Sequence, residues 1–597
     1  VAFVLPSYEN VNHPSTPIGA LYSPEVTEFI VWAPFRHTVE LLAGASHALS
    51  PDDRGYWRVR VAVEVGCRYS FRLDGEVPCP DPASLWQPEG VHGPSAVVDL
   101  SAYRWQDEGW TGITMDNMIL YELHVGTYTA SHDFDGVVRK LDHLAELGVN
   151  AIELMPLAQF PGTRNWGYDG VYPFAVQHSY GGVDGFRRLV DAAHQRGIAV
   201  VVDVVYNHLG PEGNYFSQYG PYFTDNYRTP WGSAVNFDDA WSDGVRNFFL
   251  QNARLWLEDY RVDALRLDAV HAIKDLSAIP FVQQLKELAM EIELRTGRRK
   301  LLIAELDLND PRYIHPPAKG GYGLDGQWVD EFHHALRALL TGERTAYYAD
   351  FGEIGHLEKA FRNTYVYDGV YSPYRHRVFG GHADGCPYEQ FVVFDQNHDQ
   401  VGNRVCGDRL TEHLTPAQLK LAAAVVLLSP YVPLLFMGEE YGERNPFPFF
   451  VSFEDPALIK AVREGRAAEF RGFAGEGLTI PDPEASQTYQ SAVLSWEVDV
   501  TLLDYYKELI RLRKTRPALQ GRTRDTMVVH PAVGSVLMLE RKIVNDHVFI
   551  FFNFSAEAVQ VAGLTAEELT PVFSSGPPAR GEIAPWSVLV CELTEQL

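Results

Sequence analysis

Three acids stand where chemistry could be done. Asp268 closes Val262-Asp-Ala-Leu-Arg-Leu-Asp268, Glu305 closes Leu301-Leu-Ile-Ala-Glu305, and Asp399 follows the apolar run Phe391-Val-Val-Phe394. Retaining glycoside hydrolysis needs one carboxylate to attack the anomeric carbon and one carboxylic acid to protonate the leaving oxygen and later activate water. The third acid can stabilise positive charge on an oxocarbenium-like sugar. Arg266 precedes Asp268 by two residues, so on an extended strand it points to the same side and holds that carboxylate ionised and oriented. His208 and His398 can donate hydrogen bonds to sugar hydroxyls. Any single Asp at a strand end is commonly a helix cap or turn residue, and Asp203 keeps that plainer reading, as a partner for Arg266. His143 and His271 read as helix-surface or satisfied core residues, and Trp256 and Trp328 as packing. The joint placement of Asp268, Glu305 and Asp399 with flanking His and Arg lifts them above the plain reading.

Such residues need elements that bring them together. From Met118 onward, short apolar strands alternate with amphipathic helices, the sign of a parallel α/β region. Ile119-Leu-Tyr-Glu-Leu-His124 precedes helical spacing of Val137, Leu141, Leu144 and Leu147 that ends at Gly148. Ala151-Ile-Glu-Leu-Met155 precedes a helix over 183–196, and the unbroken apolar run 198–205 predicts a strand buried on both faces. The strands 262–268, 301–305, 391–394 and 432–436 continue the series, with long helices at 242–260 and 280–296. Seven strands are visible and an eighth is expected before Phe332. This count, over roughly 400 residues, predicts a (β/α)8 TIM barrel with insertions rather than an open doubly wound sheet, and in that barrel the strand ends converge on one mouth. Residues 1–105 read as an N-terminal β-sandwich of immunoglobulin-like type, 106–521 as the catalytic barrel, and 522–597 as a small C-terminal β domain.

Composition narrows the class further. A chain of 597 residues is too long for one compact core. Lys plus Arg is 50 against Asp plus Glu 78, a formal charge of −28, which argues against nucleic acid and anionic membrane surfaces as partners. Five scattered cysteines without paired short spacings suggest a reducing, cytoplasmic setting, and 1–6 lack the basic and apolar regions of a signal peptide. The apolar stretch 421–438 contains Ser429, Pro430 and Pro433, which fits a buried helix, a turn and a buried strand rather than a membrane span. The chemistry requires no cofactor and no metal. Asp203 and Asn207 could serve as metal ligands, but a structural role is the expectation, since no dense oxygen-ligand loop is visible.

Four segments are recognisable together. Asp203-Val-Val-Tyr-Asn-His208, Leu265-Arg-Leu-Asp-Ala269, Ile303-Ala-Glu305 and Asn397-His-Asp399 resemble, in order and spacing, the four short regions of the alpha-amylase superfamily, glycoside hydrolase family 13. That resemblance implies Asp268 as nucleophile, Glu305 as general acid/base and Asp399 as transition-state stabiliser. It also implies Arg266, His208 and His398 as binding residues, and Tyr168 of Asn165-Trp-Gly-Tyr168 as the aromatic that stacks on the sugar. Further segments, among them Gln327-Trp-Val-Asp-Glu-Phe-His-His334, Asp395-Gln-Asn-His-Asp-Gln-Val-Gly-Asn-Arg404 and Phe436-Met-Gly-Glu-Glu-Tyr441, are similar to the glycosyltrehalose trehalohydrolases. The likeness implies maltooligosyltrehalose, or a related α-glucan, as substrate and trehalose as product. Branching and α-1,6 debranching relatives carry the same acids and differ in the loops around the mouth, so the acids alone leave those activities open. A noncatalytic glucan-binding relative is expected to have lost one or more acids, and here all three remain.

Overall fold

The computed structural model describes residues 15–229, 232–470, 480–560, 569–576 and 582–593. Eight parallel strands close into a barrel: β1 (Leu120–Leu123), β2 (Ala151–Leu154), β3 (Ala199–Val204), β4 (Ala264–Leu267), β5 (Leu301–Ala304), β6 (Gly326–Trp328), β7 (Phe391–Val393) and β8 (Val432–Phe436). The ring closes where Leu434, Leu435 and Phe436 pair with Leu120, Tyr121 and Glu122.

Alternation along each strand sorts the side chains. One set, including Leu120, Ala151, Val201, Ala264, Leu301, Ile303, Val392 and Leu434, packs as the apolar plug of the barrel interior. The other set joins the main core under the helices. Both faces are therefore buried, which is why these strands read as continuous apolar runs. Two residues along from the apolar plug, the same inward alternation continues as Glu122, Glu153, Asp203 and Arg266, all buried. The interior thus changes from apolar to ionic toward the carboxyl ends of the strands.

The helices follow the expected periodicity with local differences. Helix Leu141–Leu147 ends on Gly148 at φ 99, a left-handed cap that glycine adopts without a Cβ penalty. The expected helix over 242–260 is α-helical over Ser242–Arg254 and widens to a π-turn over Leu255–Asp259. The eighth strand is β6, before Phe332 as expected. It is only three residues, Gly-Gln-Trp, and lacks the β-branched run that marks its neighbours. The apolar stretch 421–438 divides between helix Pro416–Leu427 and β8. Among the described residues no helix is long and apolar enough to cross a membrane.

Before the barrel stand two four-stranded antiparallel sheets. Their longer strands are Thr27–Trp32 with Tyr56–Val61 and Val39–Ala43 with Arg68–Leu73. Trp32 packs directly on helix Ser242–Arg254: a Cβ on Gly244 would stand 2.1 Å from its ring, so only glycine allows this approach. After the barrel, Met527–Val533, Val536–Ile543, Asp546–Asn553, Ser587–Leu593 and Leu569–Ser574 form a five-stranded antiparallel sheet. All five cysteines are free thiols.

Candidate active site

Arg266 organises the mouth of the barrel. It projects inward from β4, fully buried, and its Nη1 lies 2.9 Å from Asp203 Oδ2 and 2.9 Å from Asp268 Oδ1. Its Nη2 is 3.7 Å from Glu305 Oε2. The guanidinium also lies 4.5 Å over the Trp328 ring, which makes Trp328 a floor for the cation and not a surface for sugar. Asp268 is held from its other side by Asn207, whose Nδ2 donates to the Asp268 carbonyl at 2.7 Å and to Oδ2 at 2.9 Å. Asn207 and Asp203 therefore have structural partners already.

The backbone turns left-handed just after Asp268: Ala269 has φ 38 and ψ 49, a region that a residue with a Cβ rarely occupies. In that turn the Ala269 N–H donates to Glu305 Oε2 at 2.6 Å. Asp268 and Glu305 thus lean on one guanidinium, and the strained turn ties them together. Burial pushes the Glu305 carboxyl up to about 8; Arg266 opposes this, while Asp268, Asp330 and Asp399 reinforce it. This favours the carboxylic acid at neutral pH, the form that a proton donor needs.

His398 and Asp399 begin the short helix His398–Gly402, capped by Asn397, whose side chain accepts from Gln400 N at 2.7 Å. Asp399 is the most open of the three acids, with 42% of its side chain exposed against 12% for Asp268 and 14% for Glu305. Tyr168 is set by the Trp-Gly-Tyr turn: Gly167 has φ +108, and a Cβ there would stand 2.3 Å from the Pro156 carbonyl oxygen. The Tyr168 ring stacks on His398 at 5.3 Å. Its hydroxyl lies 2.6 Å from Asp203 Oδ2 and 2.7 Å from His398 Nε2. His208 lies against the same loop, its Nε2 2.9 Å from the Tyr168 carbonyl, and burial lowers its affinity for a proton. All seven residues singled out in the sequence, Asp268, Glu305, Asp399, Arg266, His208, His398 and Tyr168, lie at this mouth.

Comparison with known proteins fits this geometry. The alpha-amylase catalytic domain family matches residues 111–231. The malto-oligosyltrehalose trehalohydrolase of Saccharolobus solfataricus is 49% identical over 492 residues, 81% of this chain and 85% of that protein. The protein of the same name from Rhizobium sp. (strain M-11) is 45% identical over 82% of this chain and 85% of its own length. A crystal structure described as a putative alpha amylase from Salmonella typhimurium superposes with a TM-score of 0.90, at 37% identity, over 97% of this chain and 99% of the other. The chain belongs to the malto-oligosyltrehalose trehalohydrolase family.

Three acids of this family member escaped the sequence reading. Glu122 on β1 accepts from the His398 N–H at 2.8 Å and contacts His398 Nδ1 at 2.5 Å. Glu153 on β2 is buried, and neither carboxylate oxygen has a hydrogen-bond partner among the described residues. Burial, with Glu122 beside it, raises its proton affinity well above the ordinary carboxylate range, which favours the neutral acid. Asp330, in the first turn of helix Asp330–Thr341, is pushed up to about 7 by burial and by Asp399 and Asp307. The available signal was a lone carboxylate at an inward position of an otherwise apolar strand, as in Leu-Tyr-Glu-Leu and Ala-Ile-Glu-Leu. His271 lies half-buried in the short 3-10 helix Val270–Ala272 just after Asp268, as a helix-surface residue would, but its Nδ1 has no hydrogen-bond partner among the described residues. His143 is a half-buried partner of Glu440 at 2.8 Å.

The ion cluster makes Arg266 costly to remove. Arg266→Met leaves Asp203 buried without its cation, and breaking a buried pair on one side costs about 3–5 kcal/mol. Chemical denaturation at pH 7 should show a destabilisation of that size together with loss of turnover. A loss under about 1 kcal/mol would mean that Asp203 is not held by this cation.

Proposed function

We propose that this chain hydrolyses the α-1,4-glucosidic bond next to the terminal trehalosyl unit of maltooligosyltrehalose, releasing trehalose and a shortened malto-oligosaccharide. The observation that carries the substrate is the 49% identity, over 85% of its length, to a protein named for that activity. The three acids and Arg266 at one barrel mouth support a double displacement. Asp268 attacks the anomeric carbon while Glu305 gives its proton to the departing trehalose oxygen, which leaves a glucosyl ester on Asp268. Water then gives a proton to the Glu305 carboxylate and attacks the same carbon, and the ester bond to Asp268 breaks. Asp399 faces the positive charge that develops between these states. Tyr168, His208 and His398 are assigned to the sugar at the cleavage point. The sharing of one guanidinium by Asp268 and Glu305 favours the close spacing of a retaining enzyme, so the first-formed reducing end should be the α anomer by proton NMR.

No cofactor enters this scheme. The reading of a cytoplasmic enzyme acting on soluble glucan rests on cysteine usage and on the charge of −28. Product chromatography after separate incubation with maltotriosyltrehalose, maltopentaose and a branched glucan tests the substrate. Rapid release of free trehalose from the first, with little action on the other two, is the expected result. Debranching, or new α-1,6 branches, would overturn the trehalohydrolase assignment and move the same acids to a sister activity.

A further inference from the structure

Behind the three acids lies a buried hydrogen-bond chain whose proton order can be deduced. Glu122, 1% exposed, uses one carboxylate oxygen for the backbone N–H of His398 and the other for its Nδ1. Both contacts belong to one residue, so Glu122 from β1 clamps the start of the helix that carries Asp399. Among the described residues His398 is the only cationic group within ion-pair reach of Glu122. A buried carboxylate without a counter-charge is expensive, so the pairing favours a charged ring.

The other edge of the ring gives the same answer independently. His398 Nε2 is 2.7 Å from the Tyr168 hydroxyl, which is 2.6 Å from Asp203 Oδ2. Asp203 is paired with Arg266 at 2.9 Å and is a carboxylate at neutral pH. Tyr168 has one proton, and Asp203 can only accept it. The Tyr168 oxygen is then an acceptor toward His398, so Nε2 must carry a proton of its own. The order runs from Nδ1–H to Glu122 on one side, and from Nε2–H to Tyr168 to Asp203 on the other.

We propose that Glu122 is a positioning residue that keeps both ring nitrogens of His398 protonated, so that the ring meets the substrate as a cation and holds Asp399 at its side. Asp399 Oδ2 lies 3.6 Å from His398 Nε2. This assignment rests on the glycoside hydrolysis argued above and adds a residue to it. The charged groups that face the ring are Glu122 from β1, Asp203 from β3, Arg266 from β4 and Asp399 beside it. Glu153 on β2 and His124 after β1 also face it, and burial favours the neutral form of both, raising the first and lowering the second to about 4. Burial opposes the charge on His398 and Arg266 repels it; Glu122 and Asp399 outweigh both and raise the ring to about 9.

The experiment compares wild type with Glu122→Gln and Glu122→Asp. Histidine labelled with 15N reports the ring directly, with His398→Gln used to assign its signals. In the wild type, without substrate, His398 should be an imidazolium at pH 7 and remain so at pH 8. In Glu122→Gln it should be neutral at pH 7, and in Glu122→Asp the imidazolium should return. Turnover should follow: in Glu122→Gln, kcat falls roughly 10–100-fold with little change in KM, and the alkaline limb moves at least one pH unit lower. Glu122→Asp should recover most of both. A neutral His398 in the wild type at pH 7 would overturn the proposal, as would a Gln variant whose ring stays charged. A variant that loses activity equally at every pH, with a fall in Tm, would reduce Glu122 to a structural role. If Glu122→Gln does not fold, the wild-type titration still decides. The ring is read with no sugar present, so this result stands or falls separately from the release of trehalose.

Discussion

Asp268→Asn should leave a folded protein whose turnover of maltotriosyltrehalose is lower by at least about 10^4-fold, roughly 5.4 kcal/mol of barrier. In the double displacement proposed above the carboxylate forms the ester, and an amide of the same shape cannot replace it. Folding should survive because of what surrounds the side chain. The buried Arg266 keeps its contact with Asp203 at 2.9 Å, so removing one of its two closest acids does not strand the guanidinium. Asn207 retains its bond to the carbonyl of residue 268 at 2.7 Å, so the backbone turn after the strand keeps its support. The change in Tm should therefore be small beside that of Arg266→Met. Substantial activity in a folded Asp268→Asn protein would show that another group attacks the sugar. Asp399→Asn is the informative companion: the Asp399 side chain is 42% exposed, so its loss should weaken catalysis with even less effect on stability.

The parts of this site that were legible in the sequence are those whose position follows from periodicity. Asp268 and Glu305 end runs of residues buried on both faces, and such runs can only be interior strands, so their ends mark the mouth. Arg266 follows from the period of two that places it beside Asp268. Glu122 and Glu153 obey the same alternation, yet a single carboxylate inside an apolar run carries no sign of whether it is paired, neutral or misassigned. Its meaning depends on partners that are distant in sequence: the His398–Glu122 contact spans 276 residues. Tyr168 lies in an aperiodic turn and was reached only through likeness to a known family. β6 was placed but not delimited, because Gly-Gln-Trp has no strand signature and is held by its neighbours Ile303–Ala304 and Phe391–Val392.

The proton on Glu305 has consequences for both catalysis and stability. In the free enzyme kcat/KM should fall as pH rises through about 8, because the carboxylate form cannot protonate the leaving oxygen. Glu305→Gln removes the donor at every pH, so kcat/KM should fall about 10^2–10^4-fold and the alkaline limb set by this group should vanish. A substrate with a good leaving group, such as an aryl glycoside, should lose much less in the first step, since it departs without a proton. Stability provides a second reading with a definite sign. Burial raises the folded-state pKa of Glu305 from the ordinary 4.5 to about 8, so the folded protein binds more protons than the unfolded chain between those values. The contribution of this proton is fully present below about 4.5 and is lost as pH rises to about 8. Gln carries no such titration. Relative to wild type, Glu305→Gln should therefore gain stability steadily from pH 4.5 to 8 and hold that gain above it. Tm values of the two proteins at pH 5 and pH 8.5 measure the difference directly. If the gap between them were the same at both pH values, Glu305 would titrate in the folded protein as it does in the unfolded chain, and another group would have to supply the proton.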